Sequence, residues 1–460
     1  MRAFRATNTS LLRQYSSNGY NYGYLFQHTA ALCGAAGFFV LSNDRNRKGV
    51  QRFAACEAVP LAKRPIESQR ESYLSMWKKD VKPDEPEDDD SVYGELEDAD
   101  PSWSLAVPQS DQMAIAQINA NEQLEDRGVI QQIRTVSNGD LVVAGVMDGH
   151  GGWEVADYVQ RKVGAYIERC INKAAAMRPI DCTVPLTDAE LAEAVKSAFN
   201  LLDEDILGKV KGSCDIGLSR NARVGACCVI ALITKTSVIV ANAGDCRAVI
   251  DHNGGAHALS DPHSANEEEE RERLRKEHPG EDDIVVCKKS FQVDRQPRYW
   301  YDYPQFWTGY LGNEIKQTAC YVKNRLQPTR AFGDFDLKVK ELSYDQETNR
   351  PFIKNGTSFP YITAEPTTKI YSRSKQPGQF ILLASDGVWD FLTPKEAIDI
   401  ARSGLQTSPQ IAAANVIQDV LRKALEESGL TMSQVAIMTP KQKRRVFDDT
   451  TVCVIKLDSF

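Results

Sequence analysis

The sequence lacks several patterns that would assign the protein to a large functional class. Its 11 cysteines form no C-x-x-C pair and no Cys/His cluster, which argues against a disulfide framework and favours reduced thiols. No stripe of basic and aromatic residues is present and the net charge is −8, so nucleic-acid binding is disfavoured. The 42% hydrophobic and 26% charged residues are typical of a soluble globular protein.

Long apolar runs are also scarce. The uncharged run Thr29–Leu41 has 13 residues, whereas a membrane-spanning helix needs about 20. A short membrane anchor and a buried or cleaved segment are therefore alternative interpretations of this run.

Acidic residues are absent from the first 43 positions, where Arg2, Arg5 and Arg13 lie among Ser, Thr and Leu. This composition is typical of a mitochondrial presequence. We therefore predict that residues 1–45 contain a presequence, together with the possible anchor, and direct the protein to the matrix or the intermembrane space. A disordered tail on a cytosolic protein is the alternative.

The next part of the chain, residues 46–110, is predicted to be a polar, acidic linker. Its segment Lys82–Asp90 is dominated by like charge and cannot bury enough apolar area to offset the entropy of ordering. Patterned sequence then predicts one domain over residues 111–460. Within it, residues 291–323 are rich in Trp, Tyr and Pro and are predicted to be an insertion that covers one end of the domain.

The order of apolar strands and helices predicts an α+β fold. Leu141–Met147 is predicted to be a buried strand and Trp153–Ile171 the helix that follows it. Runs of strands with helices grouped between them favour antiparallel sheets in layers. A charged helix is predicted over Asp261–His278, with its four consecutive glutamates facing solvent.

Three short segments place an aspartate at the end of an apolar strand. These aspartates are Asp148, Asp386 and Asp448, and glycines follow the first two. Hard divalent cations bind several carboxylate oxygens at once, and glycine allows the tight turn that such a site needs. The three segments therefore predict a metal site at a sheet edge.

Six motifs occur in an order that resembles the metal-dependent (type 2C) Ser/Thr protein phosphatases, from Ile115 to Asp458. The motifs are Leu124–Arg127, Met147–Gly152, Asn242–Ala248, Arg330–Asp334, Ala384–Trp389 and Asp448–Val452. Four further segments resemble the mitochondrial pyruvate dehydrogenase phosphatase branch of that family and its fungal relatives. They are Leu259–Glu267, Arg273–Gly280, Leu326–Asp334 and Pro360–Pro366.

The resemblance implies an αββα sandwich with two antiparallel sheets, and a site for two Mg²⁺ or Mn²⁺ ions with a weaker third. In that family pattern, Asp148 bridges two ions and Gly149 offers its carbonyl oxygen. The other implied ligands are Asp386, Asp448, Glu125, Asp126 and Asp245.

The resemblance also implies catalytic and substrate-binding residues. His150 is the implied general acid, with a buried hydrogen-bonding role as the alternative. Asn121 stands where many family members carry a phosphate-binding Arg, so it is the implied substrate contact, and an amide holds phosphate less strongly than a guanidinium. Asp334 and Asp449 are each open to a structural role or a metal contact.

These residue types suit the hydrolysis of a phosphate ester. Two cations about 4 Å apart can activate a water molecule and screen the phosphate charge, and an imidazole can protonate the departing oxygen. Together with the presequence, the resemblance therefore implies a Mg²⁺- or Mn²⁺-dependent phosphatase that acts on phosphoserine and phosphothreonine of mitochondrial proteins, with pyruvate dehydrogenase as one candidate substrate. The alternatives are a non-catalytic scaffold on the same fold and a cytosolic signalling phosphatase of the same family.

Overall fold

The computed structural model describes residues 107–179, 184–292, 315–345, 348, 350–373 and 378–458. Apart from residues 215–217, these belong to a compact unit that comprises residues 97–214 and 218–460. The predicted presequence, the run Thr29–Leu41, most of the predicted linker and the centre of the aromatic insertion lie outside the described residues. Strand β1 occupies the last four positions of the predicted linker.

The described residues form sixteen strands, nine α-helices and two 3₁₀ helices, Ser219–Arg223 and Lys340–Leu342. The strands are β1 Val107–Ser110, β2 Met113–Ile118, β3 Arg127–Thr135, β4 Gly139–His150, β5 Gly225–Ile233, β6 Ser237–Ala243, β7 Arg247–His252, β8 Gly255–Ala258, β9 Val285–Gln292, β10 Ile315–Val322, β11 Phe332–Gly333, β12 Tyr344–Asp345, β13 Arg350–Pro351, β14 Thr367–Ser372, β15 Phe380–Ala384 and β16 Thr450–Lys456. The helices are α1 Glu154–Ala176, α2 Asp188–Asp215, α3 Glu268–Glu277, α4 Phe335–Lys338, α5 Asp386–Trp389, α6 Pro394–Gly404, α7 Pro409–Ser428, α8 Met432–Ala436 and α9 Pro440–Lys443. Among these described helices, none combines the length and the apolarity that crossing a bilayer requires.

Two antiparallel sheets form the centre of the fold. The first has the strand order β1-β2-β16-β15-β7-β8, and the second has the order β14-β6-β5-β4-β3, with β11 added beside β5. The predicted α+β fold with antiparallel sheets is therefore confirmed.

The hydrophobic core lies between the two sheets. Val146 of β4 and Val229 of β5 pack there with Ile381 of β15 and Ile455 of β16. The outer face of the first sheet packs against α6 and α7, and α1 contacts β3 and β4 of the second sheet. Because both faces of the central strands are covered, β5 is buried at every position, which explains why its sequence is continuously apolar rather than alternating.

The two ends of the predicted insertion lie in or directly beside the two strands of one hairpin. Strands β9 and β10 pair in antiparallel register, with Cys287 opposite Cys320, and a disulfide joins these two residues. The prediction of reduced thiols is wrong for this pair, since the facing register cannot be read from two cysteines separated by 33 positions. Cys227, Cys228 and Cys453 are buried thiols inside strands, as predicted.

The charged helix begins later than the sequence predicts. Helix α3 starts at Glu268, because the main chain before it pairs with other segments: the amide of His263 donates to Gly244, and the amide of Ala265 donates to Gln327. The glutamate run is also not wholly solvated. Glu270 is buried, where it accepts hydrogen bonds from Arg273 and Thr329.

Candidate metal centre

Four segments bring aspartates to one edge of the sandwich. Asp148 lies near the end of β4, Asp245 lies in the turn between β6 and β7, and Asp386 begins α5 directly after β15. Asp448 lies two residues before β16, which pairs antiparallel with β15. Since an antiparallel partner starts where its neighbour ends, these strand ends share one edge.

Three of these aspartates form a group that can hold a cation. Asp148, Asp245 and Asp386 each offer a carboxylate oxygen, and these oxygens all lie within 4.8 Å of one another. Burial, followed by the charges of Asp386, Asp126 and Asp245, raises the pKa of Asp148 well above 3.8. Burial and the charges of Asp245 and Asp390 likewise raise the pKa of Asp386 well above 3.8.

The donor set fits a hard divalent cation. Among the described residues, no lysine or arginine forms an ion pair with any of the three grouped aspartates. Converging carboxylates without a cationic partner repel one another, and a bound cation relieves that repulsion. Oxygen donors of this kind suit Mg²⁺ or Mn²⁺ better than zinc.

Two more predicted ligands lie beside this group. Asp126 is buried and accepts a hydrogen bond of 2.7 Å from the Ser385 hydroxyl. Burial, and then the charge of Asp449, raises the pKa of Asp126 to about 7. Burial also raises the pKa of Glu125 to about 7, although Arg444 opposes the shift. Both carboxylates are therefore desolvated, and a cation bound beside them would stabilise their charged forms.

Gly149 is required by a close approach of two main chains. A Cβ atom at this position would lie 2.4 Å from the carbonyl oxygen of Glu125. No side chain fits there, so glycine at position 149 allows the segment of Glu125 and Asp126 to lie against the end of β4.

Asp449 fixes the loop that carries Glu125. Its Oδ1 accepts hydrogen bonds from the amides of Ala120 (2.7 Å) and Asn121 (3.0 Å). Its Oδ2 accepts from the amide of Glu125 (2.6 Å) and from the side-chain amide of Asn121 (3.0 Å). Of the two roles left open by the sequence, these contacts favour the structural one. They also show that the side chain of Asn121, the predicted substrate contact, holds Asp449.

Asp448 lies outside the group of three. Its Oδ2 accepts a hydrogen bond of 3.1 Å from Arg444, and its side chain is 37% exposed. Its negative charge nevertheless contributes to the raised pKa values of Asp126 and Asp386. It therefore lies at the rim of the same acidic site.

His150 is paired with a buried carboxylate. Its Nε2 lies 2.6 Å from Oδ2 of Asp334, which is fully buried. Burial alone lowers the pKa of His150, but Asp334 outweighs that effect and raises the pKa above 6.5. The pair is accommodated by Gly225, where a Cβ atom would lie 2.0 Å from Oδ2 of Asp334.

The contacts of two residues in this site were not predicted from the sequence. Asp334 was open to a structural role or a metal contact, but its pairing with His150 was not predicted, because the two residues are 184 positions apart. Ser385, which binds both Asp126 and the amide of Thr451, was also missed. Only its position next to Asp386 in a motif could have indicated it.

Comparisons with known proteins agree with the site. A family model described as protein phosphatase 2C matches residues 111–429. A probable protein phosphatase 2C 78 from Oryza sativa subsp. japonica is 28% identical over 359 residues, which cover 76% of this chain and 78% of the relative. A probable protein phosphatase 2C 68 from Arabidopsis thaliana is 27% identical over 356 residues, which cover 75% of this chain and 77% of the relative.

The fold comparison found a solved structure of a serine-threonine phosphatase 2C from Toxoplasma gondii. It has 18% sequence identity and a TM-score of 0.47, and the match covers 76% of this chain and 96% of the Toxoplasma chain.

The hydrogen bonds of Asp449 generate a prediction about metal binding. In Asp449→Asn, one of the two acceptor oxygens becomes a donor that faces other donors, so the loop of Glu125 and Asp126 shifts. We expect Mn²⁺ affinity, measured by isothermal titration calorimetry, to fall by roughly 10- to 100-fold. Glu122→Gln, an exposed residue of the same loop, is the matched control and keeps the original affinity. Equal affinities in the two variants contradict the prediction.

Proposed function

The chain belongs to the protein phosphatase 2C family, and we propose that it removes phosphate from serine and threonine residues of mitochondrial proteins. The family resemblance in the sequence is thereby confirmed. As a member of this family, the chain is a protein serine/threonine phosphatase that depends on Mg²⁺ or Mn²⁺. The observation that carries the proposal is the convergence of the carboxylates of Asp148, Asp245 and Asp386 at one sheet edge.

The residues that would hold the ions are drawn from both sheets. The three grouped aspartates form the centre, with Asp126 buried behind them. Further proposed ligands lie at the rim: Glu125, Asp448 and the carbonyl oxygen of Gly149. When bound, the ions supply a nucleophilic water and positive charge that screens the phosphate.

His150 is proposed to donate the proton that the departing serine or threonine oxygen needs. An alkoxide is a poor leaving group, so protonation in the transition state accelerates its departure. Asp334 raises the pKa of the imidazole and fixes its orientation through the contact between Nε2 and Oδ2. Asp334 is thus a positioning residue, whereas His150 touches the reacting oxygen.

The proposed mitochondrial location is supported by the composition of the N-terminal residues. The acid-free segment with Arg2, Arg5 and Arg13 favours import. The segments that resemble the pyruvate dehydrogenase phosphatase branch make the pyruvate dehydrogenase complex the first substrate to test. A membrane anchor at Thr29–Leu41 belongs to the same proposal.

Import can be tested separately from catalysis. Residues 1–45 fused to a fluorescent protein should accumulate in mitochondria, because the membrane potential draws in a positively charged segment whose first 43 residues contain no acid. The matched control replaces Arg2, Arg5 and Arg13 with glutamine and is expected to stay in the cytosol. A diffuse signal from the unaltered fusion excludes the proposed location.

The site assignment predicts the effect of removing single carboxylates. In the full-length chain, Asp148→Asn and Asp386→Asn should each lower Mn²⁺-dependent phosphate release from a phosphoserine peptide by at least about 1,000-fold, since the ions contribute most of the charge stabilisation. Asp282→Asn changes an exposed residue that makes none of the contacts described for the site, and it serves as the control with unchanged release. Normal turnover in both site variants refutes the assignment.

The His150–Asp334 pair predicts a dependence on the leaving group. Asp334→Asn removes the charge that holds the proton on His150, so kcat on a phosphoserine peptide should fall by about 100-fold. The loss should be much smaller on 4-nitrophenyl phosphate, because nitrophenolate departs without protonation. Steady-state kinetics on both substrates provide the measurement. An equal loss on the two substrates indicates structural damage and contradicts the general-acid role.

A further inference from the structure

A short 3₁₀ helix, Ser219–Arg223, lies directly beside the proposed general acid. It leads into β5, where Gly225 pairs with His150 of β4. The carbonyl oxygen of Arg223 packs against Gly151, since a Cβ atom at that glycine would lie 2.6 Å from it. The end of β4 therefore contacts this helix, and the segment that carries Asp334 contacts the residue that follows it.

The contact with Asp334 runs through the main chain. The amide of Asp334 donates a hydrogen bond of 2.9 Å to the carbonyl of Val224, the residue between the 3₁₀ helix and β5. The position of the helix is thus fixed relative to the His150–Asp334 pair. Side chains on the helix can therefore contact a substrate that binds next to His150.

Arg223 is a cation that is only weakly paired. Its Nε lies 3.8 Å from Oδ2 of Asp336, too far for a hydrogen bond, and this nitrogen has no hydrogen-bond partner among the described residues. The guanidinium lies over the Phe352 ring, 5.2 Å from its centroid. The side chain is 42% exposed, so solvent or a ligand can reach it.

Arg223 shares Asp336 with another arginine, which binds this carboxylate more closely. The Nε of Arg325 donates a hydrogen bond of 3.1 Å to Oδ2 of Asp336. A third arginine, Arg220, is exposed on the same 3₁₀ helix. Arg325 lies next to Arg223, because its Nη2 donates a hydrogen bond of 3.4 Å to the carbonyl oxygen of Arg223. Burial, and then the charge of Arg325, lower the pKa of Arg223, although Asp336 and Asp334 oppose the shift.

The two buried carboxylates nearest Arg223 both have other partners. Asp334 is engaged by His150, and Asp336 is bound by Arg325. A third carboxylate, Asp345, accepts a hydrogen bond from the hydroxyl of Ser219 on the same helix, which leaves Arg220 and Arg223 as the exposed cations of this helix. Clustered arginines repel one another unless a ligand of opposite charge binds between them. The planar guanidinium fork is particularly suited to carboxylates.

We propose that Arg220 and Arg223 form a recognition surface for acidic residues that flank the phosphorylated residue of the protein substrate. The inference rests on the proposed function, because His150 protonates the departing serine or threonine oxygen. The substrate polypeptide attached to that oxygen must pass beside His150, where the 3₁₀ helix lies. Glutamate or aspartate side chains of that polypeptide then meet the two arginines.

The test compares two phosphoserine peptides that differ only in charge. One carries glutamates on both sides of the phosphoserine, and the other carries glutamines at the same positions. In the full-length protein with Mn²⁺, the ratio of kcat/KM for the acidic peptide to that for the neutral peptide should be well above one. Arg223→Gln and Arg220→Gln should each lower this ratio about three- to fivefold, the range of a partly exposed ion pair.

Two controls separate recognition from other effects. Arg169→Gln alters an exposed arginine on α1 far from the strand ends and should keep the original ratio. Raising the salt concentration should lower the ratio of the unaltered protein but have less effect on the Arg220/Arg223 double variant, because screening weakens exposed ion pairs. A structural role of Arg223 would reduce kcat/KM for both peptides equally and leave the ratio unchanged, which would overturn the proposal.

A binding experiment keeps the inference distinct from the proposed activity. The unphosphorylated acidic and neutral peptides, labelled with a fluorophore, are titrated with the protein and followed by fluorescence polarisation. Preference for the acidic peptide that disappears in the double variant supports the surface even if turnover is absent. Equal binding of both peptides overturns it, even if the phosphatase is active.

Discussion

Half-buried carboxylates repel one another at one edge of the sandwich, and the surrounding strands hold them together against that repulsion. The carboxylate oxygens of Asp148, Asp245 and Asp386 lie within 4.8 Å of one another, and partial burial makes that proximity costly. The antiparallel registers of β4 with β5 and of β15 with β16 hold these residues in place. The apolar core between the sheets supplies the rigidity, since close-packed interiors resist small displacements.

Specific hydrogen bonds hold the loops that carry the carboxylates of the site. Asp449 binds three main-chain amides and one side-chain amide, and Ser385 connects Asp126 to the amide of Thr451. Such partners orient a ligand by fixing the backbone around it. The site is therefore built from side chains that hold loops as well as from those that face the proposed ions.

The parts of the fold and of the site that depend on one local sequence pattern could be predicted. Asp148 and Asp386 follow apolar strands, so their place at a sheet edge was readable from sequence, and the family motifs added Asp245. What escaped prediction was set by contacts across long separations. The contact between His150 and Asp334 depends on where the segment that carries Asp334 meets β5. The late start of helix α3 depends on main-chain pairing before Glu268, and the Cys287–Cys320 disulfide depends on the register of two strands.

The acidic group draws on both layers of the sandwich. Asp148 lies in a strand of the second sheet and Asp245 follows another strand of that sheet, whereas Asp386 follows a strand of the first. A cation held between them would act as a cross-link that joins the two layers at their open edge. A ligand that binds only the folded state stabilises it in proportion to the logarithm of the ligand concentration. The concentration of divalent ions would therefore affect the stability of the contact between the two layers as well as the rate of the enzyme.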